Sequence, residues 1–192
     1  MADAELLVRL PAVFRFTDAV AAIGERQFRN LVGQSQVVSL ARGLYRKHDL
    51  LGDEDLMEIA AKARLATICL RSALARHDLI DDIPAFIDIA IPRGAWKPVM
   101  QLPVRWHYFD PITFDLGRNL MDISDGVTIG LYSPERSVID AYRLRYREGP
   151  DMANEALRRW LKAGGQPSVL LGMARAFPRT LPVLRSTLEV LL

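Results

Sequence analysis

The stretch that most constrains the fold is residues 17–47, TDAVAAIGERQFRNLVGQSQVVSLARGLYRK, where two helical periods meet at a glycine and give way to a hairpin. Thr17 is suited to an N-cap, its hydroxyl accepting from an orphan backbone amide, and Ala19, Val20 and Ile23 then give a short helix an apolar side. Gly24 breaks that helix. A second helix is expected over about 25–33, with Phe28, Leu31 and Val32 at the i, i+3, i+4 spacing of a buried face. Arg26, Gln27, Arg29 and Asn30 are left facing outward. Two β-prone runs follow, 37–40 and 44–47, and Gly43 between them supplies the backbone freedom of a tight turn. This hairpin carries Arg42, Tyr45, Arg46 and Lys47. A short helix pair followed at once by a basic hairpin is the pattern of a winged helix-turn-helix, whose second helix reads DNA bases and whose wing touches phosphates. Short helix pairs with a polar outer face are also common in proteins that bind no DNA.

The chain has 192 residues, half of them hydrophobic and a quarter charged, which suits an ordinary globular protein able to bury a real core. The N-terminal MADAELLVRLPAV has early acids and too short an apolar stretch for a signal peptide, and no run approaches the roughly 18 to 20 apolar residues of a membrane span. A cytoplasmic location is expected. Net charge is only +2, which excludes the broad basic field of a nonspecific nucleic-acid binder. Residues 1–50 carry seven Lys or Arg against five Asp or Glu, so the whole excess lies in that segment.

After the hairpin, Asp53 can cap a helix running to about residue 64, and a domain boundary is placed near residue 50: a DNA-binding domain over 1–50 and a second domain over 51–192. Before the hairpin, residues 4–10 can form a first helix stopped by Pro11. A further helix is expected over about 66–77. From there the period changes, with strand-like runs at 85–91 and 103–109 flanking the loop PRGAWKP, and a third pair, 120–124 and 127–132, flanking Asp125-Gly126, the signal of a type I′ hairpin. Ser133-Pro134-Glu135 opens a helix to about residue 146, Pro150 opens another that ends at Gly164-Gly165, and short apolar helices near 168–177 and 181–192 complete the chain. The expected class is α+β: an N-terminal winged helix-turn-helix, then an α+β domain with a small, mostly antiparallel sheet and a helical C-terminal layer.

The residues offer little to an enzyme. GxGxxG, GxxxxGK[ST], GxSxG and HExxH are all absent. A nucleotidyltransferase needs paired acids on a strand for magnesium, and FIDIAI presents only Asp88. Asp81-Asp82 reads as a cap or turn. Cys69 reads as a small buried hydrophobe, His77 and His107 as structural, and Arg136, Arg143, Arg145 and Arg147 as solvated charges of a helix face. No metal, cofactor or catalytic residue is assigned. Arg93, Trp96 and Lys97 between two prolines form either an exposed partner-contact surface or a loop whose Trp96 folds back over the sheet.

Several strings, in order, resemble a known family: SLARGLYRK, RSALARHDLIDDIP, IDIAIPRGAWKP, GLYSPERSVIDAYRLRYREG and ANEALRRWL. Together, over about residues 5–165, they look like the AbiEi antitoxins of type IV toxin-antitoxin systems. The resemblance implies an N-terminal winged helix that represses its own operon at inverted repeats of double-stranded DNA, and a C-terminal domain with antitoxin activity. It also implies a nucleotidyltransferase-like toxin as functional partner, countered without a stable complex, and a possible homodimer on DNA. Against the family pattern the tail after residue 165 is abbreviated, which leaves a stand-alone regulator as an alternative. A protein interaction module is the rival class, and an enzyme of unrecognised type the third.

Overall fold

In a computed structural model, which describes residues 2–191, the chain forms two compact units. The first comprises the chain up to Arg64 together with Leu120–Ile129, and the second comprises Leu65–Asn119 and the chain from Gly130 onward.

The first unit begins with α1 (Ala2–Val8), β1 (Val13–Arg15), α2 (Phe16–Ile23) and α3 (Glu25–Gly33), followed by β2 (Val37–Ala41), β3 (Leu44–Lys47) and α4 (Glu54–Lys62). Its sheet has the order β1-β3-β2 and is antiparallel throughout. Strand β1 was not expected, because three residues are too few to show an alternation. It also displaces the expected cap: Arg15, extended at the end of β1, takes the N-cap position, and Thr17 lies inside the first turn with its hydroxyl on Asp18 at 3.4 Å. Gly24 separates α2 from α3 at a φ of 81°, a region that side-chain-bearing residues avoid. Phe28 and Leu31 of α3 are buried with Leu10, Phe14, Ala19, Ile23 and Val37. Val32 is exposed instead of buried, since it lies about 40° beyond Phe28 on the side away from Leu31.

Asp53 caps α4 as expected, accepting from the Leu56 amide at 3.1 Å. Met57 of α4 then packs with Leu50 and Val127, flanked by Leu40 and Ile123. Residues 120–129 therefore complete the core of the first unit although the chain reaches them much later. The sequence reading assigned α4 to the second domain, whereas it lies in the first unit. The charge balance changes accordingly. With α4 and 120–129 included, the unit holds nine basic and eleven acidic side chains, a net charge of −2.

The second unit holds β4 (Thr67–Ile68), α5 (Leu70–Arg76), β5 (Ile87–Pro92), β6 (Val104–Phe109) and α6 (Pro111–Phe114), and the chain then forms β7 (Arg118–Ser124) and β8 (Val127–Tyr132), of which residues 120–129 belong to the first unit. The helices α7 (Pro134–Arg143), α8 (Arg145–Glu148), α9 (Pro150–Lys162), α10 (Pro167–Ala174) and α11 (Leu181–Leu191) follow. The five-stranded sheet has the order β6-β5-β4-β8-β7. It is mixed rather than mostly antiparallel: β4 pairs antiparallel with β5, but β4 runs parallel to β8 and β5 parallel to β6. The reason is the connection between β5 and β6. PRGAWKP was read as a loop between two alternating strands, but it is part of a crossover that returns the chain to the same end of the sheet, as a parallel pair requires. Residues 67–68, expected in a helix, form β4, and Gly126 alone carries positive φ in its turn, so type I′, which needs two such residues, is not formed.

Ser133 caps α7, accepting from the Arg136 amide at 3.3 Å. Helix α7 stops at Arg143, short of the expected end. Val138, Ile139, Ala141 and Tyr142 of α7 are buried with Met152, Ala156, Leu157 and Trp160 of α9, and with Leu170, Ala174, Leu184 and Leu188 of the last two helices. This helical layer is an extensive apolar core, seventeen buried residues among those described. No helix among the described residues is long and apolar enough to cross a membrane.

Candidate nucleic-acid interface

The outer face of α3 is set by its inner one. Burying Phe28 and Leu31 turns Arg26, Gln27, Arg29 and Asn30 outward, and all four are exposed. Arg29 pairs with Glu25 one turn earlier, Nη2 to Oε1 at 2.5 Å, with both side chains more than half exposed. Such a surface pair is worth little and exchanges readily for a stronger anion. Gln27 leans back, its Oε1 3.0 Å from the place a Cβ on Gly24 would take. Arg26 and Asn30 make no side-chain bond among the described residues.

On the hairpin the four expected residues part company. Arg42 is exposed beside Gly43 in the turn, and Lys47 is half-buried near the far end of β3. Tyr45 is committed to packing: its ring stands edge-on to Phe28 at 4.9 Å and stacks on Phe14 at 6.4 Å. Arg46 is committed too. Its guanidinium donates to the carbonyls of Lys47, His48 and Leu50 at 3.1 to 3.2 Å and holds Glu54 at 2.5 Å. It closes the segment that joins β3 to α4. The hairpin register also shifts between Ser39 and Ala41, an irregularity in the pairing of β2 with β3.

In the second unit, Arg93, Trp96 and Lys97 of the β5–β6 connection are exposed, and Trp96 at 75 % does not fold back over the sheet. Asp81 and Asp82 take arginine partners instead of capping: Asp81 with Arg159, and Asp82 with Arg71 at 2.8 Å. The Arg159 guanidinium holds the Asp81 carboxyl below its usual range.

Of the four arginines that sequence spacing placed in solvent, Arg147 is exposed, whereas Arg136 and Arg143 join a network around the buried Asp140. Arg136 is fully buried, its Nε 2.9 Å from Asp140 and its Nη1 donating to the carbonyls of Thr113 and Leu116 at 2.5 and 2.6 Å. Its guanidinium carbon lies 4.3 Å from the Tyr132 ring centre and 4.8 Å from that of Phe177. Arg143 approaches the other Asp140 oxygen at 3.2 Å and is less than a quarter exposed. Burial pushes the Asp140 carboxyl up, against the pull of Arg143 and Arg136. A second pair joins His107 to Asp88 at 2.8 Å, with the imidazole Nε2 donating, and both are buried. His77 Nε2 donates to the Tyr132 carbonyl at 2.7 Å, a structural histidine. Cys69 is fully buried, which pushes its thiol well up. Sequence offered only the Arg136, Asp140, Arg143 spacing of four and three, which a solvated helix face shows as well.

No group of three or more metal-ligating side chains converges among the described residues. A scan against protein-family models and a search of curated proteins both find no match to this chain.

Proposed function

We propose that the first unit is a winged helix-turn-helix that binds double-stranded DNA, and that the protein is a transcriptional repressor of its own operon with antitoxin activity. The observation that carries the DNA reading is the exposed face of α3, where Arg26, Gln27, Arg29 and Asn30 stand together on a helix held from behind by Phe28 and Leu31. The element order around it supports the same reading, since β1 closes a three-stranded sheet against the hairpin that follows α3. In this scheme α3 enters the major groove, with Arg26 suited to guanine and Asn30 to adenine. Arg42 and Lys47 meet phosphates, while Arg46 and Tyr45 hold the wing to the rest of the unit. An operator with inverted repeats would take two copies, with half-sites about 34–36 Å apart.

Support for the antitoxin role is of another kind: the strings that resemble AbiEi antitoxins run through the second unit, and its partner on this reading is a nucleotidyltransferase-like toxin. A rival reading, in which the first unit contacts protein, draws on its net charge of −2. The deciding experiment is a band-shift on the DNA immediately upstream of the gene. Arg26→Ala and Arg29→Ala are expected to weaken specific binding, a bidentate arginine contact being worth roughly 1–3 kcal/mol, with thermal midpoints unchanged. Wild-type affinity in both variants would remove α3 from the interface.

A further inference from the structure

The second unit holds a cleft of about 620 Å³ that the reading above does not use. That volume is in the range of sites that enclose a small organic ligand. Its walls come from α6, from the junction of α7 and α8, and from the connection between α10 and α11.

One wall is cationic. Arg143, Arg145 and Arg179 line the cleft together with the hydroxyl side chains of Thr113 and Thr180. Arg145 is held in place, donating to the Tyr142 carbonyl and the Tyr146 hydroxyl at 2.7 Å each. Arg143 is fixed between ring faces, 4.3 Å from Phe109 and 5.4 Å from Phe177, and its buried Nε has no hydrogen-bond partner among the described residues. Arg179 is exposed and makes no ion pair among the described residues. The single lining carboxylate, Asp110, is occupied in capping α6 at 3.0 Å. Three guanidiniums against that one carboxylate leave two positive charges at the cleft, and Asp140 behind Arg143 is balanced by Arg136.

The rest of the lining is apolar and in part aromatic, with the Arg145 guanidinium 4.2 Å from the centre of the Tyr146 ring. Ile112, Pro178 and the Tyr146 ring, the first and last of them largely exposed, face the same space. Planar guanidiniums match phosphate oxygens in pairs, and exposed aromatic rings stack on nucleobases regardless of base identity. An inorganic anion would use the guanidiniums and leave most of the volume empty.

We propose that this cleft binds a nucleoside monophosphate, with its phosphate on Arg143, Arg145 and Arg179 and its base against Tyr146 and Pro178. The test is titration calorimetry on the full chain with AMP, GMP, CMP and UMP, with adenosine and inorganic phosphate as separate arms, and with a 5′-phosphorylated oligonucleotide to distinguish a strand end from a free nucleotide. At least one mononucleotide should bind, and adenosine and phosphate should each bind at least about tenfold more weakly than it, a gap of about 1.4 kcal/mol. Arg179→Glu should lose mononucleotide binding without moving the thermal midpoint, because that side chain is exposed and makes no hydrogen bond or ion pair among the described residues. Tyr146→Ala should weaken the nucleotide by a larger factor than it weakens phosphate, since it removes the stacking face and also frees Arg145 from its hydroxyl. The proposal is overturned if no mononucleotide binds at millimolar concentration, if phosphate binds as tightly, if only the oligonucleotide binds, or if Arg179→Glu binds as wild type. Arg26→Ala should leave the calorimetry unchanged, so the cleft and the α3 face succeed or fail separately.

Discussion

Arg42 and Arg46 stand four residues apart on one hairpin and have opposite surroundings. Arg46 satisfies three backbone carbonyls and Glu54, so Arg46→Ala should lower the free energy of unfolding by roughly 1–3 kcal/mol in a urea titration. Arg42 touches solvent, and Arg42→Ala should change stability by no more than about 0.5 kcal/mol. Operator binding separates them the other way, since neutralising Arg42 should reduce the salt slope by about one unit. An unchanged slope would favour a protein partner for this hairpin. The same contrast recurs at Arg136, whose fate was not legible from spacing. An arginine four residues before an aspartate reads as a solvated charge, and what buries it is tertiary: the carbonyls of Thr113 and Leu116 and the rings of Tyr132 and Phe177. Arg136→Met should cost about 3–5 kcal/mol by stranding Asp140, and the double variant Arg136→Met/Asp140→Leu should recover most of it. No recovery in the double variant would mean that the stacking on Tyr132 and Phe177, not the ion pair, carries the stability.

Elements whose determinants are local were legible in sequence. Helix α3 spans the expected residues because Gly24 starts it and Phe28 and Leu31 anchor it, and both the Asp53 and Ser133 caps bond as their positions imply. Where the deciding partner lies far away in the chain, the reading failed. Thr67 and Ile68 sit in an apolar run that suits a helix, and they become a strand only because Ala90 and Ile89 on one side and Gly130 and Leu131 on the other offer a ladder. Strand direction was hidden for a related reason, since alternation gives a strand its faces but not its partner. On the proposed interface, exposure of the α3 face followed from helical period, whereas the roles of Tyr45 and Arg46 depended on Phe14, Phe28 and Glu54, which no spacing within the hairpin indicates. The Asp53 cap offers a clean test of a local determinant. Asp53→Ala should cost about 1 kcal/mol, read as a lower urea midpoint at unchanged slope. A loss below a few tenths would show that packing of Leu56 and Met57 alone holds the start of α4.

At the scale of the molecule, the sequence order and the compact units do not coincide. A cut near residue 50, where the hairpin gives way to α4, would sever α4 from the sheet it packs on, and a cut after Arg64 would still omit residues 120–129. Those residues supply Val127 and Ile123 to the cluster around Leu50 and Met57, and the Ser124 hydroxyl donates to the Leu51 carbonyl. Gly52 is fitted to the same segment: at a φ of 145°, a Cβ there would lie 2.5 Å from the Ile123 carbonyl oxygen. A fragment of residues 1–64 should therefore expose Met57 and Leu50, bind a hydrophobic dye, and melt broadly. A fusion of 1–64 to 120–129 through a short flexible linker should melt cooperatively and bind less dye. DNA affinity should follow the same order, because the face of α3 is presented by a core that the returning hairpin completes. If residues 1–64 alone melt as sharply as the fusion and shift operator DNA equally well, the returning hairpin contributes nothing to the first unit's fold, and the DNA-binding function belongs to the N-terminal segment by itself.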